Sequence, residues 1–195
     1  MALSVWWGSN TIGHLFVHRP FFAAPWANRL FSAWLSLVVG MPQTLWRERH
    51  LAHHAGGHWA PRLSTQLLAE TALVLGLWAA LPPAFLLGVY LPGWLGGLAL
   101  CWLQGHFEHH RGTVSHYGGL YNLIWFNNGY HQEHHLRPLT HWTQMPKVRE
   151  QFGVKLNVVE RIVSPVPALL GAFHRHRKLL HRKRIVTIVT ITVAQ

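Results

Sequence analysis

Between Leu67 and Gln104 the chain reads LLAETALVLGLWAALPPAFLLGVYLPGWLGGLALCWLQ, and after Glu70 no charged residue occurs until Glu108. At a rise of about 1.5 Å per residue, this run is long enough for roughly one and a half to two crossings of a bilayer. Pro82 and Pro83, then Leu91, Pro92 and Gly93, supply turn signals within it. The reading is two helices, over about 67–89 and 93–110, joined by a tight turn on the far side of a membrane. The competing reading is a helical hairpin in a large soluble core, and a chain of 195 residues is short for such a core. A second apolar stretch runs from Phe21 to Trp46, broken only by Asn28 and Arg29. Its uncharged part, Leu30 to Leu45, falls short of the ~20 residues a span needs, so it reads as tilted or re-entrant.

Composition supports the membrane. Half of the residues are hydrophobic and only 12% are charged, against roughly 25% in soluble domains. Eleven Trp and nine Phe suit membrane interfaces. The net charge of +11 fits nucleic acid or an anionic membrane surface; the apolar runs favour the membrane and exclude nucleic acid. The single cysteine, Cys101, rules out a disulfide framework and a zinc–thiolate site. Arg47, Arg49, Arg62, Arg111, Arg137, Lys147 and Arg149 lie beside the histidine-rich segments, which places that side in the cytoplasm. The expected fold is therefore an all-α integral membrane protein, multi-pass, with transmembrane helices and a cytosolic helical cap formed largely by residues 111–160.

Histidine is the outlier, with 17 in the chain. His14 and His18 form HLFVH, while His50, His53 and His54 form HLAHH. His106, His109 and His110 form HFEHH, and His131, His134 and His135 form HQEHH. Positions i, i+3 and i+4 share a helix face with Cβ atoms roughly 5–6 Å apart, so imidazoles so spaced converge on metal. At this histidine content an HxxHH box should arise by chance about 0.1 times per chain, and here there are three. Imidazole suits zinc, copper, iron and nickel. Nine or more histidines exceed what one zinc can use, whereas a dinuclear site with four or five imidazoles per metal uses them all and can leave positions open for O2.

These residues resemble the membrane fatty acid desaturase and hydroxylase superfamily, which carries HxxxH, HxxHH and a later HxxHH on the cytosolic side. HLFVH, HLAHH and GYHQEHHLRP (Gly129 to Pro138) look like those boxes in order, and the third is the most specific match. QGHFEHHRG (Gln104 to Gly112) is similar to the extra box of the alkane hydroxylase branch, which maps the ligand onto His109. The resemblance covers about residues 10–150. It implies two iron ions, O2 as co-substrate, a lipid or acyl-chain substrate, and electrons from a ferredoxin, cytochrome b5 or rubredoxin. It also implies nine ligands: His14, His18, His50, His53, His54, His109, His131, His134 and His135. His106 and His110 fit the helical spacing but not the matched ligand position, and are expected behind the ligands. Glu108 and Glu133 stand inside boxes, where a carboxylate can accept the second ring N–H of a ligating histidine; Asn127 and Asn128 could orient His131 or hold a water. Family members carry a transmembrane hairpin before the first box, so 13 residues ahead of His14 suggest an N-terminally short member.

The expected organisation is a di-iron membrane domain over 1–160, then a basic segment over 161–195. That segment holds FHRHRKLLHRKR, His174 to Arg184 being its basic part, and a strand-like tail from Ile185 to Ala194. The expected activity is an O2-dependent oxidoreductase, with acyl desaturation ahead of hydroxylation or carotenoid ketolation. A membrane metal-binding or transport protein is the non-enzymatic alternative. Transporters, however, hold polar ligands near the bilayer midplane, and the 67–104 run contains no histidine.

Overall fold

A computed structural model describes residues 1–110, 112–154 and 162–173, and these are helical almost everywhere. The basic run at 174–184 and the tail at 185–194 lie outside the described residues, as does Arg111. The chain divides into two units, Met1–Cys101 and Trp102–Gln195.

In the first unit α1 (Ala2–Gly8), a π-helical turn (Ser9–Gly13) and α2 (His14–His18) run on continuously. A widened turn disturbs the carbonyl ladder, and polar side chains compensate: Asn10 Nδ2 donates to the Trp6 carbonyl at 2.8 Å and Thr11 Oγ1 to that of Trp7 at 2.6 Å. Next come α3 (Pro25–Val39), α4 (Gln43–His54) and α5 (Thr65–Ala80). Pro25 opens α3, where its missing N–H costs nothing. Gly40 ends α3 in the left-handed region at φ 75°, and Trp94 Nε1 donates to the Val39 carbonyl at 3.1 Å. Gly40 and Pro42 thus cut the Phe21–Trp46 stretch in two. The 15 residues of α3 span roughly 22 Å, less than the ~30 Å hydrocarbon layer.

The break in the 67–104 run also lies elsewhere than expected. Leu81 is extended, with ψ 140°, as a residue before proline prefers, and Pro83 opens the next helix. From there α6 (Pro83–Phe85), a π-helical turn (Leu86–Tyr90) and α7 (Leu91–Glu108) are continuous. Pro92 is therefore inside the helix. Its ring would clash with the carbonyl four residues back, at Gly88, and Gly88 sits in the widened turn that relieves the clash. Pro83–Glu108, with 26 residues and mean hydropathy 1.7, is the one helix among the described residues long and apolar enough to cross a membrane. Gly93 and Gly97 let α1 approach it closely: a Cβ on Gly97 would stand 2.6 Å from that of Val5.

The second unit takes over at Trp102. After α7 comes β1 (Val114–Ser115), then α8 (Gly119–Ile124), α9 (His131–Leu136), a 3₁₀ turn at Trp142–Gln144, α10 (Met145–Val154), β2 (Ile162–Val163) and a 3₁₀ turn at Ala168–Phe173. The strands pair in parallel, Val114 with Ile162 and Ser115 with Val163; a ladder this short leaves no alternation for sequence to reveal. Val114, Met145, Val148 and Ala168 are buried. A clamp holds the entry to α9: Asn122 Oδ1 accepts from Gly129 N at 3.0 Å, and the Gly129 carbonyl accepts from His116 N at 2.7 Å.

A Cβ on Gly129 would overlap the His116 carbonyl oxygen, which is backbone and has little freedom to yield. Gly129→Ala should therefore lower the thermal melting point clearly, by the several degrees that ~1–3 kcal/mol of overpacking implies. Gly119→Ala, where a Cβ meets nothing within 4 Å, should not. Equal melting of both variants in detergent would contradict the clamp.

Candidate metal centre

In the first unit, His14 and His18 lie one turn apart on α2, and His50 and His54 one turn apart on α4. The two pairs face each other. His18 Nε2 is 2.8 Å from His50 Nε2, and His54 Nε2 is 3.0 Å from that same atom. The His14 ring centroid is 4.6 Å from that of His50, and the potential ligand atoms of all four lie within 4.8 Å of one another. Trp46 packs against His14 and His50 with centroids at 6.4 and 5.6 Å. His53 is exposed and stands farther out, its ring 6.3 Å from His50 and 5.8 Å from His54.

This arrangement fits a metal ion. His50 Nε2 meets two other ring nitrogens at hydrogen-bonding range, yet at most one proton can lie on it. A shared cation satisfies all three. Two nitrogens at right angles on one ion, each bonded at about 2.1 Å, would stand ~3 Å apart, close to the distances found. The rings are also held neutral, as ligation requires. Burial, then the neighbouring His14 and His54 and the Arg47 charge, lower His18 to about 3. Burial and His53 lower His54 to about 4, and burial with four neighbouring imidazoles pushes His50 lower still.

The second unit assembles three more. His109 follows the end of α7, and His131 and His135 lie one turn apart on α9. His131 Nε2 is 3.1 Å from His109 Nε2. The three ring centroids are 4.6 to 4.8 Å apart. His134 stands 6.3 Å from His131 and 5.9 Å from His135 by centroid. Two consecutive non-glycine residues in the left-handed region, Phe126 (φ 46°) and Asn127 (φ 58°), make the sharp turn that leads into α9, a strained geometry characteristic of functional sites.

The two box carboxylates behave differently. Glu108 is buried, with Oε2 3.9 Å from His131 Nδ1; its Oε1 accepts from Gln104 Nε2 at 2.9 Å and Asn128 Nδ2 at 3.3 Å. Glu133 is fully buried but turned to β1: it accepts from Ser115 Oγ at 3.0 Å and Tyr117 OH at 2.7 Å. Arg149 lies 3.7 Å over the Tyr117 ring. Asn127 Nδ2 donates to the Trp142 carbonyl at 3.0 Å instead of approaching His131. His106 and His110 are exposed, with His106 stacked on Trp102 at 5.5 Å. Of the remaining described histidines, His58 is exposed, His116 Nδ1 meets the Ser164 carbonyl at 3.0 Å, and His141 Nδ1 meets Thr143 Oγ1 at 2.7 Å.

Sequence reasoning passed over Gln104, Ser115 and Tyr117. Gln104 was findable, being a polar residue at the end of an apolar run and four residues before Glu108. Ser115 and Tyr117 carry no local signal; the packing of α9 against β1 brings them to Glu133.

The depressed His18, His50 and His54 fix a pH dependence. Unfolded, each titrates near 6.5; folded, each stays neutral well below that. Below pH ~6.5 the unfolded chain thus binds more protons, and stability falls with pH through 4 and on to about 3, where His18 titrates in the folded chain. The metal-free protein should show a melting temperature that is flat above pH 7 and drops steadily between 6.5 and 4, more shallowly in His18→Gln. A flat profile over that window would contradict the buried, neutral cluster.

The sequence profile of the fatty acid desaturase family matches residues 57–156, which include His109, His131, His134 and His135. Two curated relatives are each 40% identical over 90 residues: the sphingolipid delta(4)-desaturase/C4-monooxygenase DES2 of Bos taurus and that of Mus musculus. The match covers 43% of this chain and 26% of each relative, so the chain spans about a quarter of their length. No solved structure matches significantly. The profile spans half of the chain and contains the second histidine cluster together with its supporting carboxylates, and the chain belongs to the fatty acid desaturase family.

Proposed function

We propose that the chain is a membrane-embedded, O2-dependent lipid oxidoreductase in which the two histidine clusters each hold one iron, with acyl-chain desaturation as the reaction. The observation that carries this reading is the convergence of His14, His18, His50 and His54, with neutral rings at ligand-like spacing. His109, His131 and His135 supply the second cluster, and His53 and His134, one residue away on the same helices, complete the nine. Iron so held supplies O2 activation and removal of hydrogen from an unactivated C–H bond.

The protein's own part is positioning and exclusion of water. Helical i, i+4 spacing presents the rings in pairs, and Trp46 shields His14 and His50. Glu108 sits beside His131 Nδ1 and biases that ring toward presenting Nε2 to metal. Glu133 holds α9 against β1 through Ser115 and Tyr117.

Membrane embedding is supported by the Pro83–Glu108 helix and by the exposed row Trp26, Leu30 and Trp34 along α3, which lipid would cover. A multi-pass arrangement then uses α3 and α5 as shorter, tilted spans, with the boxes facing the cytoplasm and residues 1–160 as the di-iron domain. The names of the relatives point to a long-chain sphingoid or acyl lipid as substrate, and the reaction needs an electron donor such as a ferredoxin, cytochrome b5 or rubredoxin. Hydroxylation or ketolation would use the same ligands.

Cells expressing the chain and fed isotope-labelled acyl and sphingoid lipids should accumulate a product with a new double bond, and His134→Ala should abolish both that product and iron loading. A hydroxylated or ketone product would move the chain to the sister reactions. Full product formation by His134→Ala would refute the ligand assignment.

A further inference from the structure

We propose that Glu70 is a positioning residue for the first histidine cluster: its carboxylate caps α4 from the side and thereby fixes where His50 and His54 stand. This rests on the metal reading above, because it assigns a residue that supports those ligands without touching them.

Helix α4 begins behind Pro42, which has no polar side chain, and no side-chain cap comes from its own N-cap position. A helix leaves its first N–H groups without intrahelical partners, and burying them unmet is costly. Neighbouring helices meet them instead. Ser36 Oγ on α3 accepts from Gln43 N at 2.8 Å, and Glu70 Oε2 on α5 accepts from Thr44 N at 2.7 Å. The other Glu70 oxygen accepts from Ser32 Oγ at 2.6 Å and Gln66 Nε2 at 2.8 Å. Glu70 is 0% exposed, and among the described residues no Lys or Arg pairs with it. The positive end of the α4 dipole is therefore the compensation this carboxylate has from α4. Three donors on α3, α4 and α5 converge on one rigid group. From Thr44 the helix rises only ~9 Å to His50, so a slip or rotation of the capped end passes directly to the ring that meets both His18 and His54.

Replacing Glu70 by Gln keeps the size but leaves one acceptor oxygen where the carboxylate serves three donors. An amide N–H must then face a donor, and the bond to Thr44 N is the one a small shift of α4 can give up. If the role is capping, an acidic N-cap placed on α4 itself should restore it, so Pro42→Asp is the rescue. A role confined to holding α3 against α5 would not respond to that change.

The experiment uses the full chain in detergent, stripped of metal and titrated with cobalt(II), reading visible absorption and affinity by competition with a chelator. Glu70→Gln should retain helical circular dichroism, bind the more tightly held cobalt at least about tenfold more weakly, and change its absorption. Pro42→Asp in the same chain should return both toward the parent. Unchanged affinity and spectrum in Glu70→Gln would overturn the proposal. So would failure of Pro42→Asp to restore them. If Glu70→Gln does not fold, the double variant becomes the test: a folded, cobalt-binding double variant supports capping, and one that still fails overturns it. The underlying metal reading has its own control, since cobalt binding by the parent that survives His50→Ala intact would sink that reading whatever Glu70 does.

Discussion

Imidazole crowding is the constraint around which the described structure is arranged. A ring nitrogen has either one proton or one lone pair to offer, so His50 Nε2, with two other ring nitrogens at 2.8 and 3.0 Å, has more neighbours than its chemistry can serve. Protonating the cluster would strip the new charge of water and set it beside other imidazoles, and the depressed His18 and His54 express that cost. A cation removes both difficulties at once. In the second unit the crowding is of three rings, His109, His131 and His135, with centroids 4.6 to 4.8 Å apart.

Holding such a cluster requires rigid supports, and this chain builds them from very few acids. It has six acidic residues, and Glu70, Glu108 and Glu133 are buried. Each anchors a histidine-bearing element. Glu70 meets the N-terminus of α4, Glu108 lies beside His131, and Glu133 joins α9 to β1 through Ser115 and Tyr117. Buried carboxylates are expensive without partners, and the hydroxyl and amide donors around these three are what make them tolerable.

Much of the site is legible in the sequence because helical spacing is local. HLFVH and HLAHH predict paired rings on one face, and His14, His18, His50 and His54 are so paired. Which ring of HLAHH meets α2 is not local: His53 and His54 are adjacent, and it is His54 whose ring stands 4.6 Å from that of His18. Pro82 and Pro92 look alike as breakers, yet Pro83 opens a helix while Pro92 is absorbed where a widened turn relieves its clash. The roles of Glu133 and Asn127 depend on Ser115, Tyr117 and the Trp142 turn, contacts that reach 15 to 18 residues along the chain. The apolar run after Glu70 predicts two helices, but their boundary lies at Leu81–Pro82 and the second is continuous over Pro83–Glu108; at Phe21–Trp46 the shortness expected of the uncharged part agrees with the 15 residues of α3, which Gly40 and Pro42 end.

The exposed apolar row on α3 and the Pro83–Glu108 helix are surfaces that lipid would cover, and the family is that of the fatty acid desaturases. The proposed function depends on iron being bound by imidazole. The most direct measurement is iron X-ray absorption on the purified chain, together with its metal content. The account predicts about two irons per chain, a first shell of nitrogen and oxygen near 2.1 Å, and the outer-shell scattering characteristic of several imidazoles. Sub-stoichiometric iron, or iron lacking imidazole scattering, would contradict it.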